Sequence, residues 1–165
     1  MLDVADTSSL NYLVWIESVE ILPQLYGKVI IPPEVHEELL VADAPVVVRS
    51  WAIALPDWIK VQTPDASLLD DLRWQSLHRG ERAALARATA HQPSILLIDD
   101  RAGSAIARGL GLSITSTLGV LDEAARRKLI SLPSAIHRLE QTSFRYPKTM
   151  VAKLLEEDAL RLQSH

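Results

Sequence analysis

Five carboxylates in this sequence occupy positions from which their side chains could act together. They are Asp6, Glu38, Glu81, Asp99 and Asp100. Carboxylates that crowd one place repel each other unless divalent cations hold them. Oxygen ligands in a chain without cysteine favour Mg²⁺ or Mn²⁺ over zinc. Several carboxylates around one or two such ions form the arrangement that hydrolyses phosphodiesters, because the cation activates water and stabilises the leaving oxygen.

Three of the carboxylates directly follow predicted strands. Asp99 and Asp100 follow the most apolar run, residues 94–98, and Asp6 follows residues 2–5. Two adjacent aspartates after a buried strand are costly unless a cation or a helix N-terminus balances them. Helix capping would account for one of them more easily than for both. Asp6 precedes a Thr-Ser-Ser run, so a capping or turn role is its alternative interpretation.

The two glutamates lie on helical segments. Glu81 shares a face with Ala84, Leu85 and Ala88, which lie within about 60° of it around a helix, so we expect it to point inward. The alternative is an ordinary first-turn glutamate favoured by the helix dipole. Glu38 lies at the edge of its apolar stripe, about 60° from Val35, whereas a surface position is its alternative.

The apolar patterning predicts which elements position these residues. Strands are expected at residues 2–5, 28–31, 58–62, 94–98 and 112–115. Helices are expected at residues 9–15, 19–26, 33–42, 45–54, 65–75, 81–91, 102–110, 118–128, 133–141 and 147–162. Strands separated by such helices predict an α/β protein with a mainly parallel sheet covered on both faces. Ligands of these sheets bind beyond the carboxyl ends of the strands.

The bulk composition indicates a soluble globular domain. The chain has 165 residues, of which 48% are hydrophobic and 23% charged, as expected for one folded domain. A net charge of −4 argues against a protein that coats nucleic acid by charge alone. No apolar run approaches the roughly 18 residues of a membrane span, and the first residues lack the pattern of a signal peptide. We therefore expect a cytoplasmic protein with no membrane association.

An ordered set of segments around the carboxylates resembles the motifs of the PIN-domain family, in a branch of poorly characterised prokaryotic proteins. The segments are Val4–Leu10, Ile31–Leu39, Gly80–Ala84, Leu96–Arg101 and Ile114–Leu121. Their order and rough spacing also agree with the family. The resemblance covers roughly residues 1–145, which we take as the nuclease-like domain, and residues 146–165 are expected to form a C-terminal helix that packs on the domain or on a partner.

The resemblance implies a three-layer α/β/α sandwich and a Mg²⁺- or Mn²⁺-dependent endoribonuclease. It also implies kinship with VapC-like toxins of toxin–antitoxin pairs, which are often homodimers inhibited by a small antitoxin protein. Asp6, Glu38 and Glu81 match the family positions, with Asp6 and Glu81 as metal ligands. Asp99 and Asp100 compete for one further ligand position, with Asp99 preferred. Ser8 would orient Asp6 or the attacking water.

A non-catalytic protein is the main alternative. The same fold could serve as a binding or regulatory module with a degenerate metal pocket. Retention of all the acidic positions argues against this alternative. A Mn²⁺ titration separates the two, because a degenerate pocket should bind the ion weakly or not at all.

Overall fold

A five-stranded, wholly parallel sheet forms the centre of the structure. The computed structural model describes residues 3–90 and 95–164. The strands are β1 (Asp3–Ala5), β2 (Val29–Ile31), β3 (Ile59–Val61), β4 (Ile95–Leu97) and β5 (Ser113–Thr115). They lie in the order β3-β2-β1-β4-β5 and are flanked by helices, so the α/β fold expected from the sequence is confirmed. Leu2 and Ser94, which the expected strands included, lie outside the described residues.

The strand order reverses direction between β1 and β4. From β1 the chain moves outward to β2 and β3, and it then returns to the other side of β1 to form β4 and β5. Such a switch point leaves a crevice at the carboxyl ends of the two central strands, where ligands of open parallel sheets bind. The register pairs Ala5 with Leu97, so residues that follow β1 and β4 emerge side by side.

Ten helices occupy the connections in the described residues. They are α1 (Thr7–Trp15), α2 (Ile21–Tyr26), α3 (Pro33–Leu39), α4 (Val46–Ile53), α5 (Ala66–Leu69), α6 (Arg79–Ala90), α7 (Arg101–Gly109), α8 (Thr117–Arg126), α9 (Leu132–Glu140) and α10 (Lys148–Gln163). Gly27 ends α2 at a φ of 77°, a backbone conformation that favours glycine. Pro33 begins α3, where the missing N–H of proline has no helical partner to lose.

Most helix bounds differ from the expected ones by one to three residues, and two of the differences can be traced to local hydrogen bonds. The segment 65–75 forms the short α5 followed by a 3₁₀ turn at Leu72–Trp74 instead of one helix. The Asp71 carboxylate accepts the backbone N–H of Arg73, and such local bonds compete with helical ones. Helix α6 begins at Arg79, two residues before the expected start, because the Glu81 side chain satisfies the N–H of His78. His91, the expected end of α6, lies outside the described residues.

The described chain separates into two compact units, up to Thr117 and from Leu118 onward. In the first, α6 packs on β1 and β4, and the core includes the fully buried Leu85 and Leu96. In the second, α9 packs on α10. The domain boundary between residues 145 and 146 stays a prediction. Within the described residues, no helix combines the length and apolar character that crossing a membrane requires.

Candidate active site

The crevice between β1 and β4 contains two of the carboxylates predicted from the sequence, the buried Asp6 and the half-buried Asp99. Asp6 directly follows β1 and is 0% exposed, and its backbone N–H donates to the carbonyl of Leu97 over 3.0 Å. Asp99 lies two residues beyond β4. The parallel register therefore brings together two acids that are more than ninety positions apart in the chain.

Asp6 is held by one oxygen only. It is the N-cap of α1, where its Oδ1 accepts the backbone N–H of Ser9 at 2.9 Å. Its Oδ2 is buried and has no hydrogen-bond partner. Burial, together with the negative charges of Asp99 and Glu81, raises the pKa of Asp6 from 3.8 to about 8, although the hydrogen bonds from Ser9 lower it. The capping interpretation is therefore correct for Oδ1 but leaves Oδ2 unexplained.

Asp99 is held by the start of α8. Its Oδ1 accepts the backbone N–H of Thr117 at 2.8 Å, and its Oδ2 accepts the Thr117 hydroxyl at 2.6 Å and that of Ser9 at 3.5 Å. Burial raises the pKa of Asp99, while these hydrogen bonds lower it. Sequence reasoning did not predict that Ser9 and Thr117 contact Asp99. The available signals were the hydroxyl residues just after the ends of β1 and β5 and their place within two of the segments that resemble family motifs.

Glu81 and Asp100 form a second acidic pair on the same edge of the sheet. Glu81 is partly buried and accepts the backbone N–H of His78 at 3.1 Å. Burial raises the pKa of Glu81, and the charges of Asp100 and Glu38 add to this effect. Asp100 is the N-cap of α7 and accepts the N–H of Gly103 at 2.7 Å. Both aspartates after β4 thus belong to the acidic region, each held by a different helix.

Glu38 ties α3 to the starts of α1 and α6. One oxygen accepts the backbone N–H of Gly80 at 2.9 Å, and the other accepts the hydroxyl of Thr7. A Cβ at position 80 would collide with the Glu38 carboxylate and lie 2.7 Å from Thr7 Oγ1. Only glycine therefore permits this close approach of the two helices. The neighbouring Glu37 is exposed and pairs with Arg79, as expected for a surface residue.

All five predicted carboxylates accept a backbone N–H at or near a helix start. The starts of α1, α6, α7 and α8 converge on the acids, and helix N-termini favour negative charge. Each acid is thereby turned toward a helix. Among residues 3–90 and 95–164, no three or more acidic, histidine or cysteine side chains are arranged as a ready-made metal site. At the centre of the group, the buried Oδ2 of Asp6 has no hydrogen-bond partner.

An open cavity of about 510 Å³ adjoins the acids. Its lining consists of Thr7, Ser8, Asn11, Tyr12, Glu38, His78, Arg79 and Glu81. Ser8 lines this cavity, whereas Ser9 makes the hydrogen bonds to Asp6 and Asp99. The role assigned to Ser8 stays a prediction.

Comparison with known proteins provides one independent result. A family model described as a PIN domain matches residues 2–159, almost the whole chain. No curated protein and no solved structure matches the chain. The matched range contains all five carboxylates described above.

Proposed function

Because this chain belongs to the PIN-domain family, which has a nuclease-type fold, we propose that it is a metal-dependent endoribonuclease that hydrolyses RNA phosphodiester bonds. The observation that carries this proposal is the free Oδ2 of Asp6. A buried carboxylate oxygen without a donor, next to a second, half-buried carboxylate, is costly in a protein. A bound divalent cation would turn that cost into a favourable interaction.

The residues present fit such a cation. Asp6 and Asp99 would form the centre of the site, and Glu81 and Asp100 would complete it by turning from their helix-start hydrogen bonds. Carboxylate oxygens without sulfur or imidazole ligands suit Mg²⁺ or Mn²⁺. When bound, the cation would activate water and stabilise the leaving oxygen of the phosphodiester.

The chain itself positions the acids and favours the substrate. The Thr117 hydroxyl and backbone N–H fix the orientation of the Asp99 carboxylate, and the Ser9 N–H does the same for Asp6. The converging helix starts favour a phosphate as they favour the acids. In the proposed hydrolysis a water oxygen bonds to phosphorus, the bond from phosphorus to the 3′ oxygen breaks, and that oxygen leaves protonated. The products are a 5′-phosphate and a 3′-hydroxyl.

The deciding experiment compares Mn²⁺-dependent cleavage of a mixed single-stranded RNA pool by four proteins. These are the wild type, Asp6→Asn, Asp99→Asn and, as a matched control, Asp57→Asn at an exposed aspartate outside the acidic group. We expect cleavage only by the wild type and the control, with 5′-phosphate product ends. Full metal-dependent cleavage by either site variant would contradict the assignment of that carboxylate.

Measurement of Mn²⁺ binding by the same proteins, without RNA, distinguishes the nuclease from a non-catalytic binding module. A competent site should bind Mn²⁺ in the wild type and lose most of its affinity in Asp6→Asn, whereas a degenerate pocket should bind the ion weakly in both. The toxin role, the antitoxin partner and the homodimer stay predictions. Growth arrest on expression of the wild type, and its absence with Asp6→Asn, is the expected result for a toxin.

A further inference from the structure

Helix α1 has two faces of different character. Ser8, Asn11, Tyr12 and Trp15 recur at helical spacing on one face, and all four side chains are partly exposed. The opposite face contains the buried Leu10 and Leu13. The exposed face begins next to the acidic group and continues along the helix away from it.

The open cavity of about 510 Å³ runs along this exposed face. Tyr12 lines the cavity, and its ring stacks on Trp15 with a centroid distance of 6.1 Å and an interplanar angle of 5°. Two side chains of the acidic group, Glu38 and Glu81, line the same cavity. Tyr12 and these two carboxylates therefore line one continuous space.

We propose that this cavity is a subsite for one unpaired nucleobase of the substrate, which stacks on Tyr12. This inference rests on the proposed ribonuclease function and names how that site would hold its substrate. A ring supported by a second ring is a rigid stacking surface, and stacking of bases on aromatic rings is tolerant of sequence. Asn11 and Ser8 provide hydrogen-bonding groups at the cavity wall, which suit the polar edge of a base. A paired base would present neither its face nor that edge.

Arg79 supplies the charge that a bound nucleotide requires. Arg79 lines the cavity, and its guanidinium pairs with Glu37 at 2.7 Å, with both side chains more than half exposed. Such exposed ion pairs are weak, so a phosphate can replace Glu37 as the partner of Arg79. Removal of the Glu37 charge should therefore strengthen nucleotide binding.

The test measures binding of short fluorescein-labelled RNA by anisotropy, in metal-free buffer and with the Asp6→Asn substitution in every protein to prevent cleavage. We expect the single strand to bind more tightly than the duplex of the same sequence. Tyr12→Leu, which keeps apolar contact with Trp15, should weaken single-strand binding about tenfold or more, and Tyr12→Phe should stay within about twofold of the parent. Arg79→Gln should weaken binding and lower its salt dependence by about one charge, whereas Glu37→Gln should strengthen it.

The matched control is Tyr146→Leu, since Tyr146 also stacks on an aromatic ring, that of Phe144, but does not line the cavity. Equal affinity of Tyr12→Leu and the parent, or an equal loss in Tyr12→Leu and Tyr146→Leu, would overturn the subsite. Failure of the two proposals is distinguishable. If RNA binding depends on Tyr12 but the wild type shows no Mn²⁺-dependent cleavage, the nuclease proposal is rejected and the subsite is kept. If Tyr12→Leu cleaves RNA with the KM of the wild type, the subsite alone is rejected.

Discussion

Substitution of Asp6 by asparagine should stabilise the metal-free protein. Asparagine has the same shape as aspartate and is an equally good N-cap, so its Oδ1 can still accept the N–H of Ser9. What the substitution removes is a carboxyl group that must take up a proton on folding, because its buried position beside Asp99 disfavours the ionised form. A residue that is essential for the proposed reaction should therefore be a liability for folding when no cation is present.

The magnitude of this effect follows from the pKa of Asp6, which burial and the neighbouring negative charges raise from 3.8 to about 8. At pH 7 this carboxyl is ionised in the unfolded chain but protonated in the metal-free fold. The pH is then about 3 units above the unfolded-state pKa of 3.8. At about 1.4 kcal/mol per pH unit, keeping the carboxyl protonated lowers the free energy of unfolding by about 4 kcal/mol. Burial of an asparagine N–H₂ where Oδ2 has no partner offsets about 1–2 kcal/mol. The expected gain is about 2–3 kcal/mol, or roughly 5–10 °C in Tm for a chain of this length.

The pH dependence has a definite sign. Because the pKa of Asp6 is higher in the fold than in the unfolded chain, the fold binds the extra proton between pH 3.8 and about 8. This contribution to wild-type stability is fully present below pH 3.8 and is lost as the pH rises through that interval. The difference in unfolding free energy between Asp6→Asn and the wild type should therefore be small near pH 4 and largest near pH 8.

Urea denaturation in EDTA at several pH values measures this difference directly. Asp57→Asn serves as the control, and a surface change of this kind should alter stability by no more than about 0.5 kcal/mol. Addition of Mn²⁺ at a hundred times its Kd should stabilise the wild type by about 2.7 kcal/mol and leave Asp6→Asn unchanged. If Asp6→Asn is less stable than the wild type at pH 8 in EDTA, the argument from the uncompensated buried carboxylate is wrong.

Three further substitutions test other contacts. Gly80→Ala should destabilise the protein by about 1–3 kcal/mol in urea denaturation and reduce RNA cleavage, because the new Cβ collides with the Glu38 carboxylate. The control Gly109→Ala should not destabilise it, because nothing lies within 4 Å of a Cβ at that position. Thr117→Val removes the hydroxyl that donates to Asp99 and should lower kcat for RNA cleavage about tenfold. Thr117→Ser keeps a hydroxyl and should have the wild-type kcat. Equal activity of the valine variant and the wild type would rule out a positioning role for Thr117. Arg161→Met should lower the free energy of unfolding by about 1–3 kcal/mol, since it leaves Asp122 and the buried Asp158 without the arginine that they share. An unchanged melting temperature of this variant would contradict the prediction.

The amino-acid sequence by itself determined the elements and the positions of the acids along them. Apolar runs of a few residues, separated by segments with helical periodicity, identified the strands and predicted a parallel sheet. Asp6 and Asp99 were placed at strand ends because each follows such a run, and parallel strands bring their carboxyl ends to one edge. These inferences succeeded because they depend on local hydrophobicity and on the limited number of ways in which strands and helices can be packed.

Only the tertiary structure decided which groups face each acid. The hydrogen bond from Ser9 to Asp99 joins residues 90 positions apart, and that from Gly80 to Glu38 spans 42 positions. Neither of these two hydrogen bonds can be predicted from periodicity or helix propensity, because they depend on strand register and on the close approach of helices. The same register decided that both oxygens of Asp99 are held by α1 and α8, whereas one oxygen of Asp6 is left without a donor. Long-range packing thus created the electrostatic conflict at Asp6, on which the proposed chemistry depends.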